Sequence, residues 1–492
     1  MPDERWSRTT HPTTVHSPRA APVRARGKAR GHSPYARLSG APSGRHLGAD
    51  TAAGPSSESV RGSASRWCGF GDRTCVRHTH DKLADGQDDV ESAPRGDRLG
   101  FSRDDEWVLT VFGGDFARDP WSVFDGLRSD EGGVHRVASP DGPPAWLVTR
   151  YDDVRAGLLD DRLATNIRHA RGEDYKGFAV PAPMDAFARS DPDQLSRLRH
   201  AVTAELHPSR LSTWADRADR LTTQLLGRCD ENAEFDFVER VAVPLPAAVL
   251  EDLLGLPPAV GNGLRRWAES ALRPDAGLRA RDTLATMHDL VGAAVEYGRR
   301  SGDESMLARL TRNGLLDGEQ VSLLFYLLFV WYEVLVDLTA GAVAAFAANP
   351  GQLEAFLRQP DRSKGVDELI RYLCPQMTAG PRFAVEDMVI GEHRIAAGQT
   401  VLLSLASANH DPAAFESPEK LLMSRTSNSH LGFGLGTHAC VGTGLVRPVT
   451  AAVLSRIATT WPDLRLGTDP GDIQWRNGFR HRGPLALRVK PG

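Results

Sequence analysis

One ten-residue stretch, Phe433-Gly-Leu-Gly-Thr-His-Ala-Cys-Val-Gly442, constrains the fold of this chain more than any other part of it. It delivers a single cysteine, Cys440, through a glycine-rich loop just ahead of a helix. Glycines let the backbone approach the sulfur closely and take up conformations that other residues avoid. Backbone N–H groups at the start of the following helix favour a thiolate. A thiolate held in this way is a soft, strongly donating metal ligand. His438, two residues earlier, is placed to meet an acidic group on the same cofactor. The bland reading of a lone cysteine is a buried small hydrophobe beside a turn, so the rest of the chain has to decide.

The bulk properties narrow the class. A length of 492 residues allows one large domain plus a tail. The 59 basic and 63 acidic residues leave a net charge of −4, which gives no overall field to gather nucleic acid or an acidic membrane. Five cysteines, an odd number at mostly wide spacings, do not make a disulfide framework, so a reducing, cytoplasmic setting is expected. No short apolar signal-peptide core stands at the N-terminus. From Val321 to Ala348 the chain is apolar apart from a few polar residues, chiefly Glu333 and Asp337. That run is long enough to cross a bilayer. Two acids in a lipid-facing helix would be costly, and a buried helix of a large soluble protein is apolar all round too.

Residues 1–100 are rich in Ser, Pro, Gly, Arg and His without apolar periodicity, and read as a disordered tail or an over-extended start. Cys68, Cys75, His78 and His80 fit no zinc spacing there. Order is expected from Asp119, where Asp119–Arg128 begins a helix with Asp-Pro. Trp146–Thr149 reads as a short strand. Leu195–Leu206, Leu211–Leu226 and Pro244–Leu254 carry helical spacing. Glu386–Leu405, with turns at Gly391 and Gly398, reads as a small antiparallel sheet. The expected class is mainly α with a minor β part.

The ten-residue loop resembles the haem-binding loop of the cytochromes P450, F-G-x-G-x-H-x-C-x-G, at every fixed position. Six specified positions match by chance on the order of 10⁻⁸ per window. Other stretches follow in the family's order over about residues 105–490. Glu368-Leu-Ile-Arg371 resembles the E-x-x-R pair, whose side chains are neighbours at i and i+3 and which is structural in that family. Arg382 and Arg199 resemble the two arginines that meet the haem propionates, a task suited to a planar fork. The family's histidine four residues before the second arginine is here Leu195. Asp161–Leu163 resembles the end of the family's second helix, and Ser404–Pro412 the segment ahead of the haem loop. The resemblance implies haem b with the Cys440 thiolate as axial ligand, Phe433, Gly434 and His438 in the cofactor-binding loop, and haem between a long central helix and the cysteine loop. It also implies oxidation of a small organic, biosynthetic substrate. No flavin or iron–sulfur motif is present in the chain. The resemblance therefore implies a separate ferredoxin and ferredoxin reductase as electron donors, with neither nucleic acid nor membrane as partner.

The central helix departs from the pattern. Counting back from Asn349-Pro350, the family's A-G-x-[D/E]-T falls on Val330-Trp-Tyr-Glu-Val334. The acid, Glu333, is kept and is the candidate proton donor. The glycine is Trp331 and the threonine is Val334, which has no hydrogen to donate. Val330, Trp331 and Val334, with Gln376–Pro381 and the loop Thr165–Ser190 bearing Arg168, Arg171 and Lys176, should line the substrate pocket. Three readings stay open here: a monooxygenase that delivers protons through water or substrate, oxidative coupling or cyclisation of an aromatic or peptide substrate without oxygen insertion, and a haem-binding accessory protein with impaired oxygen activation.

Overall fold

The computed structural model describes residues 108–492 apart from 140–141, 172–189, 208–212, 272–282 and 477. The tail with Cys68, Cys75, His78 and His80 therefore lies outside the described residues, as do Leu211 and Lys176. The class is mainly α with a minor β part, as expected.

Local chemistry sets the helix ends. Asp119 accepts hydrogen bonds from the backbone N–H groups of Trp121 and Ser122, and Pro120 opens the helix Pro120–Ser129. Asp191 caps Pro192–Glu205 in the same way through Gln194 N. Pro244 opens Pro244–Leu254, and Gly255 closes it at φ 71°. Order begins earlier than the sequence suggested. Leu109 already bridges Val137 in parallel, and a short helix, Gly114–Arg118, precedes Pro120.

The apolar run Val321–Ala348 is core. Helix Asp317–Phe325 passes through one π-helical turn, Tyr326–Val330, into helix Trp331–Ala348. Among the described residues this is the one helix long and apolar enough to cross a membrane, and most of it is buried inside the fold. Its apolar faces meet other helices all round, which satisfies the pattern without lipid. The π turn ends at Val330, where one extra residue per turn re-aims the side chains that follow.

The sheet differs from the expectation for Glu386–Leu405. Met388–Ile390 and His393–Ile395 do form a two-stranded antiparallel hairpin around Gly391. Thr400–Leu403 leaves it for a five-stranded sheet, lying parallel to Ala145–Val148 and antiparallel to Arg382–Ala384. Its four positions are all buried, and a strand buried on both faces carries no alternation to read. Asp161–Leu163 is not a helix end. The helix stops at Leu159, the Asp160 carboxylate accepts Arg162 N–H in a turn, and Leu163–Ala164 pairs with Arg382–Ala384.

Candidate active site

The cysteine loop is built by its glycines. Gly434 and Gly436 sit at φ 66° and 71°, where a side chain would be strained. These turns bring the Cys440 N–H to within 2.7 Å of the Phe433 carbonyl. The sulfur faces a cavity at the head of helix Thr443–Thr460, with the Gly442 N–H directed at it and the Thr443 hydroxyl beside it, donating to the Cys440 carbonyl oxygen at 2.9 Å. Burial raises the Cys440 thiol above its usual value, and those two donors, with Arg199 and Arg447, oppose the shift. A buried thiol in such a setting is held ready to exchange its proton for a metal cation. The loop is clamped from behind. Arg447 Nε lies 2.7 Å from Asp367 and its guanidinium stacks over Phe433 at 5.0 Å, while His430 Nε2 lies 3.3 Å from the same carboxylate.

Glu368 and Arg371 form a fully buried pair at 2.8 Å, on the helix Ser363–Leu373 beside that clamp. Arg371 also donates to the carbonyls of Asn409, Pro418 and Lys420, and Arg425 Nε donates to Glu368. Nearly every lone pair and proton of the pair is used, the condition for burying charge at tolerable cost. Neither residue lines the cavity.

The cavity, about 1020 Å³, opens between the cysteine loop and the central helix. Pockets for one drug-sized ligand run to about 1,000 Å³, so this one stands at the top of that range. Val330, Trp331, Glu333 and Val334 line it, as do Gln376 and Thr378–Pro381, and Tyr332 turns away into the core to donate to the Val243 carbonyl. Of the described residues of the Thr165–Ser190 loop, Thr165 and Ile167 reach the cavity wall; Arg168 and Arg171 are exposed. A separate surface groove at Arg150, Asp152, Asp411 and Phe415 shares no lining residue with the cavity.

Two guanidiniums face the same cavity. Arg382, on a sheet strand, is 4% exposed, its Nε has no hydrogen-bond partner, and burial alone pushes it down to about 10. Arg199 donates to the Ala439 carbonyl at 2.8 Å and is also lowered by burial. No carboxylate among the described residues pairs with either. A buried cation without an anion is costly unless a ligand brings one. His438 is lowered to about 4, by burial first and then by Arg382 and Arg199, so its ring is neutral at pH 7 and able to donate an N–H. One thiol, two unpaired arginines and a neutral imidazole around one cavity fit an iron macrocycle with two carboxylates.

Sequence comparison agrees with the geometry. Residues 363–458 match the family model described as Cytochrome P450. Cytochrome P450 107B1 of Saccharopolyspora erythraea is 30% identical over 401 residues, covering 78% of this chain and 98% of that protein. The cytochrome P450 monooxygenase PikC of Streptomyces venezuelae is 32% identical over 393 residues, covering 78% and 93%. This chain belongs to the cytochrome P450 family. The solved structure of the Bacillus subtilis bacillaene polyketide synthase cytochrome P450 PksS superposes with a TM-score of 0.70 at 28% identity, over 78% of this chain and all of that one. Like its relatives this P450 is a haem-thiolate oxidoreductase, and the matched region contains Cys440.

The P450 site also holds residues that sequence reading missed. A hairpin, Gln474–Leu485, closes the cavity on the side of Glu333, tied by Leu485 N to Gln474 O at 2.8 Å and Arg476 N to Gly483 O at 2.9 Å. It contributes Arg476, Phe479, Arg480 and His481 to the wall. No alternation or spacing marks this segment. Its only signal is a cluster of four basic side chains, Arg476, Arg480, His481 and Arg482, in a stretch with no acid of its own.

Proposed function

We propose that residues 105–490 form a cytoplasmic P450 monooxygenase acting on an apolar, polyketide-like secondary metabolite, supplied with electrons by a separate ferredoxin and its reductase. The observation that carries this reading is the orphaned Arg382 guanidinium facing the same cavity as the Cys440 sulfur. The relatives match this chain over nearly their whole length, and one of them, PksS, is named for polyketide biosynthesis.

In this reading Cys440 would hold the iron, Arg382 and Arg199 would hold the two carboxylates, and neutral His438 would have an N–H to offer one of them. Gly434 and Phe433 let the loop approach the ring. When bound, the haem supplies dioxygen activation with two electrons delivered one at a time. The chain's own residues do the remaining work. Val330, Trp331 and Val334 with Gln376–Pro381 orient the substrate and exclude water. Glu333 holds a proton at the cavity wall, since Val334 has none to give. Glu368 and Arg371 act at a distance, fixing the loop's foundation.

The test is the carbon monoxide difference spectrum of the reduced protein. A long-wavelength, thiolate-type Soret band that disappears in Cys440→Ser is the expected result. A short-wavelength band in folded wild-type protein, or no haem uptake, overturns the reading. Labelled dioxygen then separates oxygen insertion, which leaves the label in the product, from coupling, which does not.

A further inference from the structure

Four ionisable side chains gather on the side of the cavity away from the cysteine loop's clamp. None of them is needed to hold a cofactor. Glu333 and Asp337 are four residues apart on one face of the central helix. The hairpin Gln474–Leu485 packs on that face. His481 Nε2 lies 3.8 Å from Glu333 Oε2, and Arg476 Nη2 lies 3.0 Å from Asp337 Oδ1. Gly483 seats the hairpin here: a Cβ at 483 would stand 2.1 Å from Asp337 Oδ1, so a larger residue would push the two elements apart. Three buried polar atoms of the group, His481 Nδ1, Asp337 Oδ2 and Arg476 Nε, have no protein partner. Buried polar atoms are almost always satisfied, by ordered water where not by protein. Of the three, His481 and Arg476 line the cavity, where water can reach them.

We propose that His481 is the proton-relaying partner of Glu333, passing protons from water at its unpartnered Nδ1 to the Glu333 carboxyl at the cavity wall. The proposal rests on the monooxygenase reading and supplies what position 334 cannot. Glu333 releases a proton from its carboxyl into the cavity. The imidazolium refills that carboxyl from Nε2, across 3.8 Å, by a small rotation or one bridging water. That imidazolium forms when the neutral Nε2–H ring takes up a proton from water at its unpartnered Nδ1, and after the transfer a ring flip brings the remaining N–H back to the Glu333 side. One proton moves inward at each pass and no electrons move.

The electrostatics suit the task. Burial lowers His481, and Glu333 opposes that shift while Arg476 and Arg480 add to it. Asp337 is raised to about 6, by burial first and with Glu333 adding, against the pull of Arg476. These are the charged groups that face the imidazole from the central helix and from its own hairpin. The Gln376 strand segment that bridges His481 brings an uncharged amide.

Two measurements test the relay. The first needs no turnover. The His481 ring is followed by NMR with ¹³C-labelled histidine as pH is varied, in full-length wild type and in Glu333→Gln. Removing the carboxylate that favours the imidazolium should move the His481 midpoint to lower pH; a midpoint that stays in place overturns the pairing. The second uses dioxygen with electrons from a surrogate ferredoxin and its reductase, so that the protons must come through the chain, and follows NADPH oxidation in haem-loaded protein. His481→Gln should lower the rate by roughly a hundredfold and flatten its pH profile, with the carbon monoxide band unchanged. An unchanged band with an unchanged rate and profile overturns the relay. A wild-type protein without the thiolate band removes the iron that the relay would serve, and the proposal falls with the function. That outcome is distinct from the NMR result, which reads the pair alone.

Discussion

The indole of Trp331 lies against Gly442: a Cβ at position 442 would stand 3.0 Å from Trp331 Cζ2 and 3.3 Å from Cη2. The large residue that replaces a small one in the central helix thus has part of its bulk at the seam between that helix and the base of the cysteine loop. Glycine at 442 is required by this contact and not by its backbone, which sits at φ −85°.

Gly442→Ala should therefore cost about 1–3 kcal/mol through overpacking, read as a lowered melting temperature of the haem-loaded protein. In a Trp331→Ala background the same change should cost close to nothing. An equal loss in both backgrounds would show that the two residues do not press on each other.

Arg382→Ala should separate cofactor affinity from apoprotein stability. Losing one charge-assisted hydrogen bond of about 1.5–3 kcal/mol weakens haem binding at least tenfold, measured as faster haem transfer to apomyoglobin. The apoprotein should melt no lower than wild type, because a buried, unpaired guanidinium has been removed.

Asp337 gives a signed pH effect. Its folded value, about 6, lies above the ordinary 3.8, so between those values the folded state keeps a proton that the unfolded chain has lost. Its contribution to stability is full below about pH 4, falls as pH rises to about 6 and is level beyond. The stability difference between wild type and Asp337→Asn, from urea unfolding at pH 4.5, 5.5 and 7, should shrink along that series. A difference that grows with pH would mean that Arg476 dominates burial at this carboxyl.

Glu368→Ala strips the counter-charge from Arg371 and Arg425, which are almost wholly buried. Breaking a buried pair in this way costs about 3–5 kcal/mol. The expected result is a sharp loss of soluble, haem-loaded protein, whereas Arg168→Ala, at an exposed loop position, should change yield little.

Legibility in the sequence followed the range of the interaction. The cysteine loop could be read because its chemistry is local, with Gly434, Gly436 and Cys440 within seven positions. The Glu368–Arg371 pair could be read for the same reason, three positions on one helix. The helix Pro244–Leu254 was visible from its apolar spacing and its prolines. Thr400–Leu403 was assigned to the wrong sheet because its parallel partner, Ala145–Val148, lies some 250 residues away and no local pattern encodes that pairing. The contact of His481 with Glu333 spans some 150 residues and is equally invisible locally. The orientation of Trp331 toward Gly442 depends on two helices meeting, which neither helix announces. Asp367, which anchors both His430 and Arg447, sat unremarked beside Glu368 because a lone acid on a helix is usually solvated.

The hairpin Gln474–Leu485 also sets an order of events at birth. The chain emerges from the ribosome with Arg199, the central helix, Arg382 and Cys440 all made before the wall that bears Arg476 and His481 exists. That wall is therefore made after every side chain that faces the cofactor from the loop and the sheet.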